Sequence, residues 1–237
     1  MATSDNNHSS STSTERRLKV WDLPVRLFHW ALLVLVSCAI LSVELGDVVD
    51  GAMNWHPRFG YAVLALLVFR LIWGFVGGTH ARFTSFVRGP GAIVEYLRSL
   101  KSKAGPAIGH NPLGALSVLA LLASLSFQAV SGLFLNDEDF FIEGPLFKHV
   151  GSDLVHTLRE AHEYNATLLF ILIGLHVAAI VFYRVAKRDN LILPMITGSK
   201  SVPANLPAED AKGGSFWLGV VIAAIAGVAV YLLVTRA

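Results

Sequence analysis

Imidazole is the chemistry this sequence offers. His176 stands inside the apolar run LLFILIGLHVAAIVFY, and His162 precedes it by fourteen residues. On an α-helix that spacing rises about 21 Å and turns through about 1400°, to within about 40° of the starting face. The two rings therefore point one way at two depths, too far apart to share one metal ion. Each needs an answering ligand from another segment, and His29 in RLFHWALL and His56 in NWHPRFGY are the candidates. Two imidazoles without a thiolate or carboxylate fit a six-coordinate haem iron. They suit structural zinc poorly, because zinc gathers four ligands at one point. No Cys-x-x-Cys-His is present, which excludes covalent c-type attachment. The competing reading of a lone buried histidine is a side chain that only hydrogen-bonds a neighbour.

The elements that must position these rings are membrane spans. Hydrophobic residues make up 54% of the 237 and charged ones only 15%, well below the usual share for a soluble domain. The apolar residues gather in five blocks: about Leu27–Leu45, Phe59–Gly77, Pro112–Leu135, His162–Tyr183 and Phe216–Val234. Each is long enough for a helix to cross a bilayer. Only helices or closed barrels satisfy their backbone in lipid, and continuous rather than alternating runs exclude barrel strands. Most of the cations lie before the first block (Arg16, Arg17, Lys19, Arg26), between the second and third, or between the fourth and fifth. The other two loops are acidic, with Glu44, Asp47 and Asp50 in one and Asp137 to Glu163 carrying seven acids in the other. The positive-inside rule then puts the N-terminus in the cytoplasm and the C-terminus outside. Depth along the spans pairs His29 with His176 near the cytoplasmic side and His56 with His162 near the outer side.

Arg70 is a further charge inside a span, fourteen residues after His56 on the same helix. It either pairs with a propionate of the inner haem or snorkels to the backbone or the interface. Gly60, Gly132 and Gly174 could give a flat macrocycle clearance, or could serve ordinary helix packing. His8, His80, His110, His149 and His156 read as surface residues, with His80 the best placed for handling a proton. Cys38, the single cysteine, reads as apolar filler, and no disulfide forms within one chain. Two short surface helices are expected, one within 79–111 and one over 146–159, and the proline-punctuated segment before the fifth span reads as a loop.

The stretches VWDLPVRLFHW (Val20 to Trp30), HPRFGY (His56 to Tyr61) and RLIWGFVGGTHARF (Arg70 to Phe83), followed by a helix with histidines fourteen apart, resemble the bacterial cytochrome b561 and nickel-iron hydrogenase b-type cytochrome family over about Leu18 to Arg188. The resemblance implies a four-helix bundle holding two haems b, with axial ligands matching His29, His56, His162 and His176. It further implies electron transfer between a quinone and a redox partner at one face of a bacterial inner membrane. The fifth span is extra relative to the simplest members.

The expected fold is thus an all-α integral membrane protein, a four-helix diheme bundle plus a fifth transmembrane helix. Its expected parts are a disordered cytoplasmic tail (1–17), the diheme domain (18–190), a cytoplasmic loop (191–213) and the fifth helix (214–237). The expected function is electron transfer between the quinone pool and a partner such as a periplasmic cytochrome c or another redox subunit, with no role for nucleic acid. Two other readings compete: a self-contained superoxide-to-quinone oxidoreductase, and a non-redox proton-coupled transporter.

Overall fold

A computed structural model describes residues 15–87, 89–99, 109–207 and 209–237. Of the tail expected over 1–17, residues 1–14 lie outside the described residues, and Glu15 to Arg17 are in a strand rather than a disordered segment. Five long apolar helices are present: α1 (Leu23–Glu44), α2 (Trp55–Val76), α5 (Pro112–Gly132), α6 (Ser152–Val185) and α8 (Phe216–Arg236). Their starts are set by local chemistry. Asp22 caps α1 by accepting from Val25 N at 2.8 Å, and Asn111 caps α5 by accepting from Gly114 N at 2.7 Å, each with a proline in the first turn. Large apolar side chains such as Leu33, Phe170 and Ile225 remain exposed along the outer faces, as a lipid-facing surface requires. The chain is a multi-pass membrane protein.

The helices are not packed evenly. α1 lies on α2, α2 reaches α5, and α5 runs along α6. α6 stands away from α1 and α2, so a gap runs between them. α8 packs on the other side of this assembly, against α2 and α1, through the stripe Gly219, Ile222, Ala226 and Val230. A Cβ at Gly219 would sit 2.8 Å from Pro24 Cγ, so only glycine allows that approach.

The starts of α1, α5 and α8 share one end of the bundle with the ends of α2 and α6. This is the basic face; the opposite end is the acidic face. The basic face carries a small sheet that the sequence reading leaves as tail and loop. Strand β1 (Glu15–Lys19) pairs antiparallel with β4 (Ser199–Pro203), Leu18 opposite Lys200 and Arg16 opposite Val202. Pro203 stands at the last pair of this ladder, where a proline costs little. Leu18, Val202 and Trp73 are almost wholly buried, so the densest packing lies under this cap. Helices α3 (Phe83–Phe86) and α4 (Pro90–Ser99) follow α2 on the same face, and α7 (Ile192–Thr197) precedes β4.

On the acidic face, β2 (Asn136–Asp137) and β3 (Ile142–Glu143) form a short hairpin. The separate surface helix expected over 146–159 is corrected. Only one 3-10 turn stands at Phe147–His149, and from Ser152 the chain is already in α6, which enters the bilayer without a break. The polar first turns of α6 project beyond the apolar span, which is why composition alone separates them.

Candidate functional site

The gap between α6 and the α1–α2 pair is bordered by four histidines, two at each level. At the acidic end, His56 opens α2 and faces His162 on α6, ring centres 6.4 Å apart. At the basic end, His29 on α1 faces His176 on α6, ring centres 6.5 Å apart.

The acidic-end pair is oriented by hydrogen bonds. His56 Nδ1 donates to the Ala39 carbonyl at 3.0 Å. His162 Nδ1 lies 2.9 Å from Ser131 Oγ, and Ser131 itself donates to the Gln128 carbonyl at 3.1 Å. With the Ser131 proton committed there, its oxygen accepts from His162 Nδ1–H. Both rings thus carry their proton on Nδ1 and offer Nε2 as a lone pair, the arrangement a metal-binding histidine uses. The pair lines a cavity of about 410 Å³, together with Gly60, Tyr61, Gln128 and Gly132. Gly60, one helical turn after His56, has no atom within 4 Å of where a Cβ would stand, so its missing side chain is open cavity. Glu44, Asp137 and Glu163 also border this space, as does Arg159, which is tied to the carbonyl and side chain of Asn136.

Between the two levels, Asn165 locks α6 to α5. It is buried, accepts from Ser124 Oγ at 2.7 Å, and donates to Gln128 Oε1 at 2.6 Å and to the Ser124 carbonyl at 3.0 Å. Asn165 lies one turn after His162, so this clamp sets the rotation of the helix that carries both α6 histidines. The sequence reading passes over Ser124, Gln128, Ser131 and Asn165. The first three are spaced four and three residues apart along α5, a polar stripe within an apolar span, and Asn165 is a polar side chain within the apolar run of α6; that is the signal that marks them.

The basic-end pair has different surroundings. His29 Nδ1 is buried without a hydrogen-bond partner among the described residues. Arg70 is 3% exposed, with its guanidinium 4.8 Å over the Phe83 ring. Phe83 in turn is seated on Gly74, where any Cβ would collide with it. Asp22 is held by the Val25 and Gly78 amides and by Trp73 Nε1, which pins the start of α1 to the end of α2.

Two histidines expected at the surface are instead partly enclosed here. His110 packs against Trp21 and Phe86, ring centres 4.7 and 4.5 Å away, and His80 stands edge-on to Trp21 at 6.3 Å. Burial, reinforced by the Arg70 charge, pushes the His110 pKa down to about 3; burial also lowers that of His80. The turn after α2 folds back beneath the cap, which a hydropathy reading of a polar loop misses. His149 and His156 are exposed. Gly132 borders the cavity beside the His162 ring, whereas Gly174 meets nothing within 4 Å and lies outside that lining.

A sequence profile for prokaryotic cytochrome b561 matches residues 20–198. The chain belongs to the prokaryotic cytochrome b561 family. This b561-family chain is 27% identical over 212 residues to a probable Ni/Fe-hydrogenase B-type cytochrome subunit of Azotobacter vinelandii, covering 76% of this chain and 86% of that one. A protein of the same description from Rhizobium leguminosarum bv. viciae is 22% identical over 224 residues, covering 81% and 92%. A probable superoxide oxidase of Yersinia pestis is 24% identical over 178 residues, covering 71% and 90%. The chain is thus a membrane b-type cytochrome of an electron-transfer system.

The donor sets suit the haem that this family carries. Metal–nitrogen bonds of about 2 Å, with about 1.2 Å from ring nitrogen to ring centre, would put two imidazole centres on opposite sides of one iron about 6.4 Å apart. Both observed pairs match that separation. The cavity at the acidic-end pair, open beside Gly60, leaves room for a flat ring, and no cluster of three or more metal-binding side chains competes among the described residues.

Proposed function

We propose that this cytochrome holds two haems b, one between His29 and His176 and one between His56 and His162, and passes electrons across the bilayer between the quinone pool and a redox partner. The observation that carries the reading is the facing of two imidazole pairs at axial-ligand spacing, at two levels of one span. The basic face is the cytoplasmic side of the inner membrane, which leaves the acidic face and the C-terminus outside.

When bound, each haem supplies a one-electron iron couple. The chain's own residues hold and insulate it. His56 and His162 present Nε2 because Ala39 and Ser131 fix the opposite nitrogen. Asn165 keeps α6 from rotating. Apolar walls exclude water, and Arg70 lends positive charge at the inner level. The relatives described as hydrogenase cytochrome subunits support a partner that is a membrane-associated redox subunit. The acidic outer loops would dock a basic surface on it, or on a periplasmic cytochrome c.

The Yersinia relative supports a second reading, in which superoxide gives up one electron at the outer face, leaving dioxygen, and two such electrons with two protons reduce a quinone. Glu44, Asp137 and Glu163 around the outer cavity would repel that anion, so the partner-linked reading stands first. A reduced-minus-oxidised spectrum of the purified protein with haem quantitation tests both. Two haems b per chain are expected, reduced by quinol or a partner rather than by added superoxide. A chain without haem would sink both readings.

A further inference from the structure

At the basic end lies a group of nitrogen atoms with no work assigned to them. Among the described residues, Arg70 Nη1, His80 Nε2 and His110 Nδ1 are each shut from solvent and have no hydrogen-bond partner. They come from α2, from the turn after it and from the segment before α5, and they are joined through one set of rings. The Arg70 guanidinium lies on Phe83, Phe83 meets Phe86 at 5.8 Å, Phe86 meets His110, and Trp21 touches both His110 and His80. A buried polar nitrogen left unpaired costs as much as a lost hydrogen bond; Arg70 Nη1 can only donate, and each imidazole can place its proton on the unpaired nitrogen, so one acceptor group would answer all three. Asp22 is not that acceptor, because both its oxygens are taken by Val25, Gly78 and Trp73.

The missing group must carry several acceptor oxygens and a negative charge, which adds to that of nearby Asp22 in answering Arg70. It must also fit beside the space between His29 and His176, because His176 lies close enough to His110 for their charges to interact. A carboxylate meets all three demands. Both imidazoles are neutral near pH 7, by the burial already described, so the cluster offers one positive charge and two uncharged polar nitrogens. That is the right balance for one carboxylate with neighbouring hydrogen bonds.

We propose that Arg70, His80 and His110 form a carboxylate-binding site that takes a propionate side chain of the inner porphyrin and turns it toward the basic face. This rests on the diheme reading above and adds the orientation of one haem and the means of holding it.

The test uses the purified, haem-loaded protein and its Arg70→Gln, Arg70→Lys and His110→Phe variants. Resonance Raman reads the propionate bending modes, and a redox titration reads each midpoint; the inner haem is the one that His176→Ala removes. Taking positive charge from a carboxylate beside iron disfavours the ferrous form. Arg70→Gln is expected to lower the inner ferrous-to-ferric ratio at fixed potential about tenfold, equivalent to about 59 mV for one electron. His110→Phe should lower it about threefold, the size of one modest hydrogen bond. Both should shift the inner propionate mode, Arg70→Lys should restore most of the change, and the outer haem should not move. Two retained haems with an unmoved inner mode and midpoint would overturn the site, as would equal shifts in both haems. Should Arg70→Gln fail to fold, Arg70→Lys and His110→Phe still decide it. Absence of haem from the unsubstituted protein would instead remove the diheme reading, so the two failures are distinguishable.

Discussion

The two ends of the gap solve one positioning problem by different physics. At the acidic end, each imidazole is anchored through Nδ1, to the Ala39 carbonyl and to Ser131, inside a cavity whose walls are apolar and whose border is acidic. At the basic end, His29 Nδ1 has no such anchor among the described residues, and its surroundings hold buried nitrogens on Arg70, His80 and His110 that are likewise without a partner there. One site is specified by hydrogen-bonded geometry, the other by charge waiting for a partner. With haems in place, the cation at the inner level and the acids at the outer level would both favour an electron on the inner iron.

The largest effect that can break this contrast comes from removing a ligand at each level. His162→Ala and His176→Ala should each reduce the haem content from two per chain to one, and each should leave the other haem's spectrum intact. Pyridine haemochrome quantitation with low-temperature difference spectra reads both. If either substitution empties both levels, the sites are one cooperative unit and the comparison between them has no meaning.

A smaller and more selective effect is expected at Gly60. Its Cβ position opens on empty cavity, one turn from His56. Gly60→Leu would fill that space without touching the α1–α2 packing, so the outer haem should be lost or strongly depleted while the inner one stays. The same quantitation checks it. Full outer occupancy in Gly60→Leu would show that the ring lies elsewhere in the gap.

What was legible in the sequence follows from how each feature is encoded. Five spans are written as long apolar blocks, because lipid permits nothing else, and their ends move by only a few residues except at α6, where Ser152 to Ala161 is helix outside the apolar run. The meeting of His56 with His162 follows from depth alone, since both stand near the same end of antiparallel helices. The β1–β4 ladder was not legible. Its strands are 184 residues apart in the chain, measured from Glu15 to Ser199, and neither has an apolar alternation strong enough to announce it. His110 escaped for a similar reason: its enclosure depends on Trp21, Phe86 and the turn after α2 converging, and none of these is local to it. Ser131 and Asn165 were readable in principle as polar residues in apolar spans, but their partners were not.

The smallest expected effect tests the anchor itself. Ser131→Ala removes the hydroxyl that accepts from His162 Nδ1–H, yet the Gln128 carbonyl also bears on the same imidazole and would take over part of that bond. Outer-shell partners of a metal-binding histidine typically contribute 10- to 100-fold in affinity, and the remaining carbonyl argues for the lower end, about tenfold. The outer haem should therefore survive purification but transfer about tenfold faster to an apomyoglobin trap, with Ser131→Thr close to the parent and the inner haem unchanged. Among the described residues the inner level has no equivalent bond at His29, so no single hydroxyl removal there should produce the same loss. Equal acceleration of both haems in Ser131→Ala would mean that the α5–α6 seam, and not the orientation of one ring, is what the serine maintains.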